Sequence, residues 1–374
     1  MPEVADDARV KAFANRLLDI YTGGFLTYMI EIGEATGLFT AAVEGPASSV
    51  QLAERAGLSE RHVREWLGAM VVAGIFDYQP ESAVYSLPPE HATCLTGSSP
   101  YNMAPRALGL SRLGKVVPQV IDTFRRGGGV PYADYMPDFT DLMDALGRHR
   151  YDDLLVSVYL GLAPGLLERL AGGISVADIG CGSGHVANLM GQAFPRSSFV
   201  GYDMSDTGIA VATSEADSMS LANVRFELLD LVQLPEEPKF DLITAFDVIH
   251  DQARPAEVLA RVSRALAPGG TFYMFDIRAS SRLEENIPNR MAPYMYSVSV
   301  LHCMQVSLAY DGAGLGTCWG EQLARRMLAD AGFGSVQTFE PPLDPINLLY
   351  LCSKEPAPLS AAEELCDADV GTDR

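Results

Sequence analysis

Residues 175–184 read SVADIGCGSG, and this stretch decides the fold. Its first half, Ser175–Ile179, is a short apolar run of strand length, and a helical pattern resumes at His185. Glycine permits a sharp backbone turn and the close approach of a ligand, because it has no side chain in the way. The stretch therefore predicts a strand, a glycine loop and a helix whose N-terminal amides face a ligand.

The spacing of the glycines indicates which ligand the loop holds. Gly180, Gly182 and Gly184 form the pattern G-x-G-x-G, and Asp178 stands two residues before the first glycine. Dinucleotide enzymes instead use G-x-G-x-x-G, with the helix N-terminus open to a pyrophosphate. A carboxylate beside the loop favours a cation, such as a sulfonium ligand that also carries an ammonium group.

Beyond the loop, the chain alternates strands and helices, which predicts a mostly parallel, doubly wound α/β sheet. The expected strands are 175–179, 198–202, 224–229, 240–246, 271–276, 335–339 and 347–352, and the expected helices are 207–219, 254–266 and 319–331. The residues Ala267–Gly270 (APGG) are expected to form a turn before the fifth strand.

Acidic residues follow two of these strands. Asp203 ends the second strand, 25 residues after Asp178, where a carboxylate can accept from two ribose hydroxyls. Asp230 and Leu231 follow the third strand, where a carboxylate can accept from an adenine amino group. Since ligands of such sheets lie at the carboxyl ends of the strands, we expect these side chains to share one site.

A small module precedes the sheet. Its predicted elements are a helix at 50–56 that begins at a Ser48–Gln51 capping box, a second helix at 60–73, and strands at 75–78 and 83–87. This order is a winged helix-turn-helix, which serves either DNA recognition or packing. The second helix mixes arginines with glutamates and the whole chain has a net charge of −21, so we favour packing and expect no nucleic-acid partner.

The 374-residue chain is 48% hydrophobic and 20% charged, which excludes a largely disordered protein. We predict a winged-helix domain at 1–100, a helical connector at 101–173, the sheet domain at 174–353 and an acidic mobile tail at 354–374. Helical stretches around 10–32 and 103–125 are expected to pack against each other or against a second subunit. Between them and the sheet, the glycines at 127–129 form a hinge, a loop that reaches the active site, or a plain connection.

Several observations bear on location. The N-terminus shows no basic segment followed by an apolar run, and the apolar stretches are too short to span a bilayer. The six cysteines are scattered without a C-x-x-C pair, which predicts neither a disulfide framework nor a metal site. We therefore expect a cytoplasmic protein with no membrane partner.

Taken together, these motifs resemble class I S-adenosylmethionine-dependent methyltransferases that place a winged helix before the catalytic fold. The sequences GGGVPY (127–132), FDVIHDQ (246–252) and LHCMQVSLA (301–309) resemble a mycobacterial-type and metazoan subgroup. The resemblance implies a Rossmann-like sheet of seven strands, a small-molecule acceptor and a homodimer that pairs through the N-terminal domains. It implies a cofactor site for S-adenosyl-L-methionine formed by Asp178, Gly180, Gly182, Gly184, Asp203, Met204, Asp230, Leu231 and Phe246.

The position of His250 resembles that of the catalytic histidine of plant and bacterial O-methyltransferases, although Gln252 replaces the tryptophan of their motif. A hydroxyl acceptor must lose its proton, so we favour His250 as general base. The alternative is that His250 and Asp251 begin the next helix, with Asp251 as its cap. Methyl transfer to nitrogen or sulfur, which needs no strong base, and a non-catalytic regulator that senses a ligand are the other hypotheses. Asp247 either lines the cofactor site or holds local structure.

The segment 280–316 is rich in methionine and tyrosine, which suits a flat apolar acceptor but equally suits the core or a dimer contact. We name Tyr132, Met295 and His302 as candidate acceptor contacts. His302 and Cys303 form a pair that can be a nucleophile or a metal ligand. No third ligand stands at a suitable spacing, so we predict no metal.

Overall fold

The structure is a computed structural model that describes residues 5–99, 101–136, 138–237 and 239–354. The chain divides into two compact units, one of Met1–Lys115 with Asp141–Asp153 and the other of Val116–Thr140 with Leu154–Arg374. The residues of the expected connector 101–173 are thus shared between the two units. The expected acidic tail lies, from residue 355 onward, outside the described residues.

The α-helices of the described residues are α1 (Asp7–Ala35), α2 (Leu38–Val43), α3 (Ser49–Ala56), α4 (Glu60–Val72), α5 (Pro89–Leu95), α6 (Leu108–Gly114), α7 (Val117–Arg126), α8 (Asp138–Leu154), α9 (Leu166–Gly172), α10 (His185–Ala193), α11 (Asp206–Ser218), α12 (Pro255–Ala265), α13 (Leu283–Asn286), α14 (Ala292–Val298), α15 (Met304–Leu308) and α16 (Glu321–Asp330). The strands are β1 (Asp77–Gln79), β2 (Val84–Ser86), β3 (Ser175–Ile179), β4 (Ser198–Asp203), β5 (Val224–Leu228), β6 (Phe240–Phe246), β7 (Leu266–Ile277), β8 (Ser335–Phe339) and β9 (Asn347–Ser353).

The first unit contains the predicted winged helix-turn-helix. Helix α3 begins with a complete capping box, in which the Ser48 hydroxyl accepts from the Gln51 amide and the Gln51 side chain accepts from the Ser48 amide. Strands β1 and β2 pair antiparallel as the wing. Trp66 of α4 meets Phe39 and Phe76 edge-on, with ring centroids 5.3 and 5.5 Å apart. Such aromatic pairs contribute about 0.5–1.5 kcal/mol each beyond their buried area.

The second unit is built on a seven-stranded sheet in the order β5-β4-β3-β6-β7-β9-β8. All neighbouring strands are parallel except β9, which is antiparallel to both β7 and β8. The central strands are buried on both faces, which explains why β3 and β6 are nearly continuous apolar runs. The predicted doubly wound α/β sheet is therefore confirmed.

The fifth strand of the sheet domain differs from its prediction. Strand β7 begins at Leu266, which pairs with Phe240, and the APGG stretch lies inside it rather than before it. The register between β6 and β7 shifts after this first pair, and Gly269 has a φ of 71°. The stretch is thus a bulge, a place where a sheet tolerates the missing amide of a proline.

Within the second unit, the triple glycine leads into a segment that is fixed to α15 and the helical turn before it. Gly127 and Gly128 both have a φ of 76°, and a side chain on Gly129 would overlap the backbone of Gln305. The Tyr135 hydroxyl donates to the Leu301 carbonyl at 2.8 Å. These contacts bring residues 129–135 against the inserted segment 280–316.

No individual helix of the described residues is both long and apolar enough to cross a bilayer. Leu142–Leu162 and Leu166–Gly172 meet that requirement only as a pair, which is bent by 108°.

Candidate active site

The glycine loop joins β3 to α10, and its three glycines serve two different needs. All three have positive φ values, 63°, 54° and 73° at Gly180, Gly182 and Gly184. A side chain on Gly180 would collide with Val248, and one on Gly184 would collide with Ala212 and Phe226. At Gly182 a side chain would meet no atom within 4 Å. Two of the glycines therefore allow close packing, whereas the third leaves open space for a ligand.

Asp178 is buried and is the penultimate residue of β3, just before the loop. Parallel pairing places it beside Thr244 of β6, whose hydroxyl donates to Asp178 Oδ1 at 2.6 Å. Burial raises the pKa of Asp178 to about 7, with the Thr244 hydrogen bond opposing the rise and the nearby Asp203 adding to it. A buried carboxyl in this state gains its charge most easily when a cation lies beside it.

Asp203, at the end of β4, ties this strand to the glycine loop. One carboxylate oxygen accepts from the Gly182 amide and the other from the Ser205 amide, both at 2.8 Å. Burial raises the pKa of Asp203, and the backbone hydrogen bonds oppose that rise. Each oxygen keeps a lone pair for a further donor, so the carboxylate can still accept from two hydroxyls.

The remaining predicted cofactor residues lie at the same edge of the sheet. Asp230 is exposed and caps a short 3₁₀ turn, Leu231–Gln233, by accepting from the Val232 amide at 3.1 Å. Leu231 is buried, whereas Met204 is 57% exposed. Phe246 ends β6 and contacts Phe275 with ring centroids 5.7 Å apart.

Asp247 has a φ of 57°, a backbone conformation that side-chain-bearing residues rarely adopt. Its amide donates to the Phe275 carbonyl, and its carboxylate accepts from the Asn347 side chain. Of the two interpretations of Asp247, these contacts fit a role in local structure.

His250 lies in a 3₁₀ turn, Ile249–Asp251, that follows β6. Its side chain is buried, with Nδ1 at 2.7 Å from Asp276 Oδ1 and Nε2 at 3.2 Å from Asp251 Oδ1. Asp276 Oδ1 also accepts from the Trp319 indole at 3.2 Å, which holds the carboxylate in place. Burial alone would lower the pKa of His250, but the charges of Asp276 and Asp251 outweigh it and hold that pKa well above its usual range.

The structure does not support Asp251 as the cap of the next helix. Helix α12 begins at Pro255 with Arg254 at its N-cap, and Asp251 belongs to the preceding turn. Proline is favoured at the first helical position because its missing amide would have no partner there and its φ already suits a helix.

His302 and Cys303 belong to a π-helical turn, Ser299–Cys303, that faces the His250 turn. His302 Nδ1 is 3.7 Å from Asp251 Oδ2, and neither ring nitrogen has a hydrogen-bond partner among the described residues. Burial lowers the pKa of His302 to about 4 and raises that of Cys303 to about 11. At neutral pH, His302 is therefore an uncharged imidazole and Cys303 a thiol.

Aromatic rings surround His302. Phe139 stacks on its imidazole with centroids 3.6 Å apart, and Tyr135 and Tyr132 meet it edge-on at 4.7 and 6.2 Å. Met295, the third candidate acceptor contact, is buried with Ile277 and Ile346 in a small apolar cluster. The structure thus brings Tyr132 and His302 together and places Met295 beside the strand that carries Asp276.

Sequence reasoning missed the part that Asp276 plays at this site and saw Asp251 only as a possible cap. Asp276 is the penultimate residue of β7, and the pairing of Phe246 with Phe275 places it at the same edge as His250. An acid at the end of a strand neighbouring the histidine strand was the signal that could have identified it.

Comparisons with known proteins identify the two domains. Residues 170–332 match the family described as "Methyltransferase domain", and residues 24–97 match the "Rv2258c-like winged HTH domain". Acetylserotonin O-methyltransferase of Mus musculus molossinus is 28% identical over 298 residues, which cover 72% of this chain and 74% of that protein.

Two solved structures share the fold. The mitomycin 7-O-methyltransferase MmcR has a TM-score of 0.66 and 18% identity, over 93% of this chain and 99% of that chain. Human N-acetylserotonin methyltransferase in complex with S-adenosylmethionine has a TM-score of 0.67 and 18% identity, over 95% of this chain and 99% of that chain. The open space at Gly182 and the free lone pairs of Asp203 fit that cofactor. The chain therefore contains a methyltransferase domain, with S-adenosylmethionine as its cofactor, and a winged helix-turn-helix domain precedes it in the sequence.

Proposed function

We propose that the chain methylates a hydroxyl group of a small, largely apolar molecule, with His250 as general base. The observation that carries the proposal is the position of His250. It is a buried imidazole at the carboxyl edge of the sheet, beyond β6, with Nδ1 engaged by Asp276. An imidazole oriented in this way by a carboxylate is the arrangement that takes a proton from a hydroxyl.

When bound, S-adenosylmethionine supplies a methyl group on a positively charged sulfur that leaves readily. The protein must align the acceptor and take its proton. Because Asp276 and Asp251 hold the pKa of His250 well above its usual range, the ring must first lose the proton on Nε2. Asp276 then selects the tautomer with a proton on Nδ1, which leaves Nε2 for the acceptor hydroxyl. The imidazolium that forms then lies between Asp276 and Asp251, whose charges stabilise it.

We further propose roles for the cofactor and acceptor residues. Asp203 accepts from the ribose hydroxyls, Asp230 faces the adenine, and Asp178 lies toward the cationic part of the cofactor. Met204, Leu231 and Phe246 supply apolar contacts. Tyr132, Met295 and His302 are the proposed acceptor contacts, and the aromatic rings around His302 favour a flat molecule. The relatives named above methylate small molecules, by their names acetylserotonin and mitomycin, which supports an acceptor of this size.

The His250→Gln variant tests the base. A panel of phenols that includes N-acetylserotonin is incubated with tritiated S-adenosylmethionine, and His62→Gln, on the exposed surface of α4, is the control. We expect turnover on the methylated phenol to fall by about 10²–10⁴-fold with little change in cofactor affinity. Equal losses of turnover and cofactor affinity would show a structural role. Unchanged turnover would favour a nitrogen or sulfur acceptor.

The winged helix is proposed to pack rather than to bind nucleic acid. On α4, Arg61 pairs with Glu65 and Arg64 pairs with Glu60, the latter at 3.4 Å. Each arginine that could meet a phosphate thus lies beside a carboxylate of the same helix. A gel shift with DNA at low salt tests this, and we expect no complex.

A homodimer is proposed because α1 exposes an apolar surface. This 29-residue helix buries only Gly33, while most of its large apolar side chains face solvent. Those side chains are Val10, Phe13, Leu18, Ile20, Tyr21, Phe25, Tyr28 and Ile32. A surface of this extent is normally covered by a partner, and a second copy of the chain is the partner we propose.

For location, we propose the cytoplasm. The five cysteines of the described residues, at 94, 181, 303, 318 and 352, are all free thiols, which suits a reducing compartment.

A further inference from the structure

A group of metal-ligating side chains overlaps the proposed base. One ring nitrogen of His250, a carboxylate oxygen of Asp251 and Sγ of Cys303 lie within 4.8 Å of one another. His250 and Cys303 are buried and Asp251 is half-buried. We infer that this cluster binds one divalent cation of the zinc type.

Unpartnered polar atoms in the same place point to a missing ligand. Asp251 Oδ1 has no hydrogen-bond partner among the described residues, although it lies 3.2 Å from His250 Nε2. Both ring nitrogens of the fully buried His302 also lack a partner there. Buried polar groups are nearly always satisfied, so unsatisfied atoms on two side chains that lie 3.7 Å apart indicate a bound group.

The geometry and the surrounding contacts suit zinc. Two ligands of a tetrahedral Zn²⁺ lie about 3.3–3.8 Å apart, close to the 3.2 Å between His250 Nε2 and Asp251 Oδ1. Asp276 accepts from Nδ1 of His250, as carboxylates do for zinc-bound histidines. His302 Nδ1 lies 3.7 Å from the other oxygen of Asp251 and offers a further nitrogen ligand.

Charge balance selects the kind of metal. When the cation binds, the thiol proton of Cys303 and any proton on His250 Nε2 leave to solvent, and the thiolate and the Asp251 carboxylate neutralise the dication. A neutral ion–ligand group is the form that a buried site tolerates. Nitrogen and sulfur ligands favour Zn²⁺ over Mg²⁺, which prefers oxygen.

The site has a consequence that rests on the proposed function. Because the cation occupies the Nε2 lone pair, His250 cannot accept a proton while the metal is bound. Zinc is therefore a reversible inhibitor of hydroxyl methylation, and a chelator restores activity.

Titration of the chelator-treated protein with Co²⁺ tests the site directly. We expect one Co²⁺ per chain, with a sulfur-to-cobalt charge-transfer band in the near ultraviolet that Zn²⁺ abolishes and Mg²⁺ does not. Cys303→Ser should lack the band. Asp276→Asn should weaken Co²⁺ binding by about 10- to 100-fold. Cys94→Ser, at an exposed cysteine of the first unit, should keep both the band and the affinity.

The absence of the band in the wild-type protein, or its persistence in Cys303→Ser, would overturn the inference. If Cys303→Ser does not fold, as judged by circular dichroism, Asp251→Asn takes its place, and unchanged Co²⁺ affinity in that variant would overturn the inference as well. Methylation of a phenol with and without Zn²⁺ separates the two proposals. Cobalt binding together with zinc-insensitive methylation would support the metal site and contradict His250 as the base.

Discussion

Asp178→Asn separates the effect of the Asp178 carboxylate on cofactor affinity from its effect on the free energy of unfolding. Asp178 is 3% exposed, and asparagine keeps the oxygen that accepts from Thr244. Burial raises the pKa of this carboxyl from 3.8 to about 7. Above that pH the folded protein holds a buried charge that the unfolded chain leaves in water.

The sign and size of the effect follow from this pKa. Because the folded value lies above the unfolded value, the stability contributed by Asp178 is fully present below pH 3.8 and is lost as the pH rises through about 7. The difference corresponds to about 4 kcal/mol. Asparagine has no charge to bury, so we expect Asp178→Asn to increase the free energy of unfolding of the cofactor-free protein by up to about 4 kcal/mol at pH 8, and by less at pH 5.

Cofactor binding should change in the opposite direction. The variant lacks the negative charge that faces the cationic cofactor, and a hydrogen bond to a charged group is worth about 1.5–3 kcal/mol. Calorimetry at pH 8 should therefore show S-adenosylmethionine binding about 10- to 100-fold more weakly. Urea unfolding at pH 5 and pH 8 measures stability, with Asp217→Asn on the exposed face of α11 as the control. A variant that is less stable than the wild type at pH 8, or that keeps full cofactor affinity, would refute the reasoning.

Three further predictions concern the loop, the base and the assembly. Gly184→Ala should lower the free energy of unfolding by about 2–4 kcal/mol, because its new methyl group meets packed side chains at positive φ, whereas Gly182→Ala should cost only about 1–2 kcal/mol and chiefly weaken cofactor binding. Equal stability losses in urea would contradict this distinction. Asp276→Asn should reduce kcat on a phenol at least about tenfold with little change in KM, and an effect confined to KM would argue against its orienting role. Phe25→Glu should convert a dimer into a monomer in light scattering, and an unchanged mass would place the interface elsewhere.

The cofactor half of the site could be predicted because its signals are local. The glycine loop and Asp178 lie at the end of β3, and Asp203 lies at the end of β4. Each of these strands can be identified from its own run of apolar residues. In a parallel sheet all such ends lie at one edge, so the residues converge without any knowledge of long-range contacts. The same rule could have placed Asp276 beside His250.

The other half depends on contacts that no spacing in the sequence reveals. Cys303 and His302 reach the His250 turn because the inserted segment forms a π-helical turn, for which the sequence has no marker. The prediction of no metal site rested on the spacing of ligands along the chain. The cluster of His250, Asp251 and Cys303 does not follow any regular ligand spacing, because folding brings residue 303 beside residues 250 and 251. The APGG stretch was interpreted as a turn because proline and glycine signal turns, whereas pairing with β6 continues through Leu266 and makes it a bulge.

A crystal structure with S-adenosylhomocysteine tests the central claim most directly, namely that the glycine loop and the strand-end acids hold the methyl donor. We predict that the ligand backbone passes Gly182 and that both ribose hydroxyls lie within hydrogen-bonding distance of Asp203. A ligand bound away from Gly182, or a ribose with no contact to Asp203, would contradict the account.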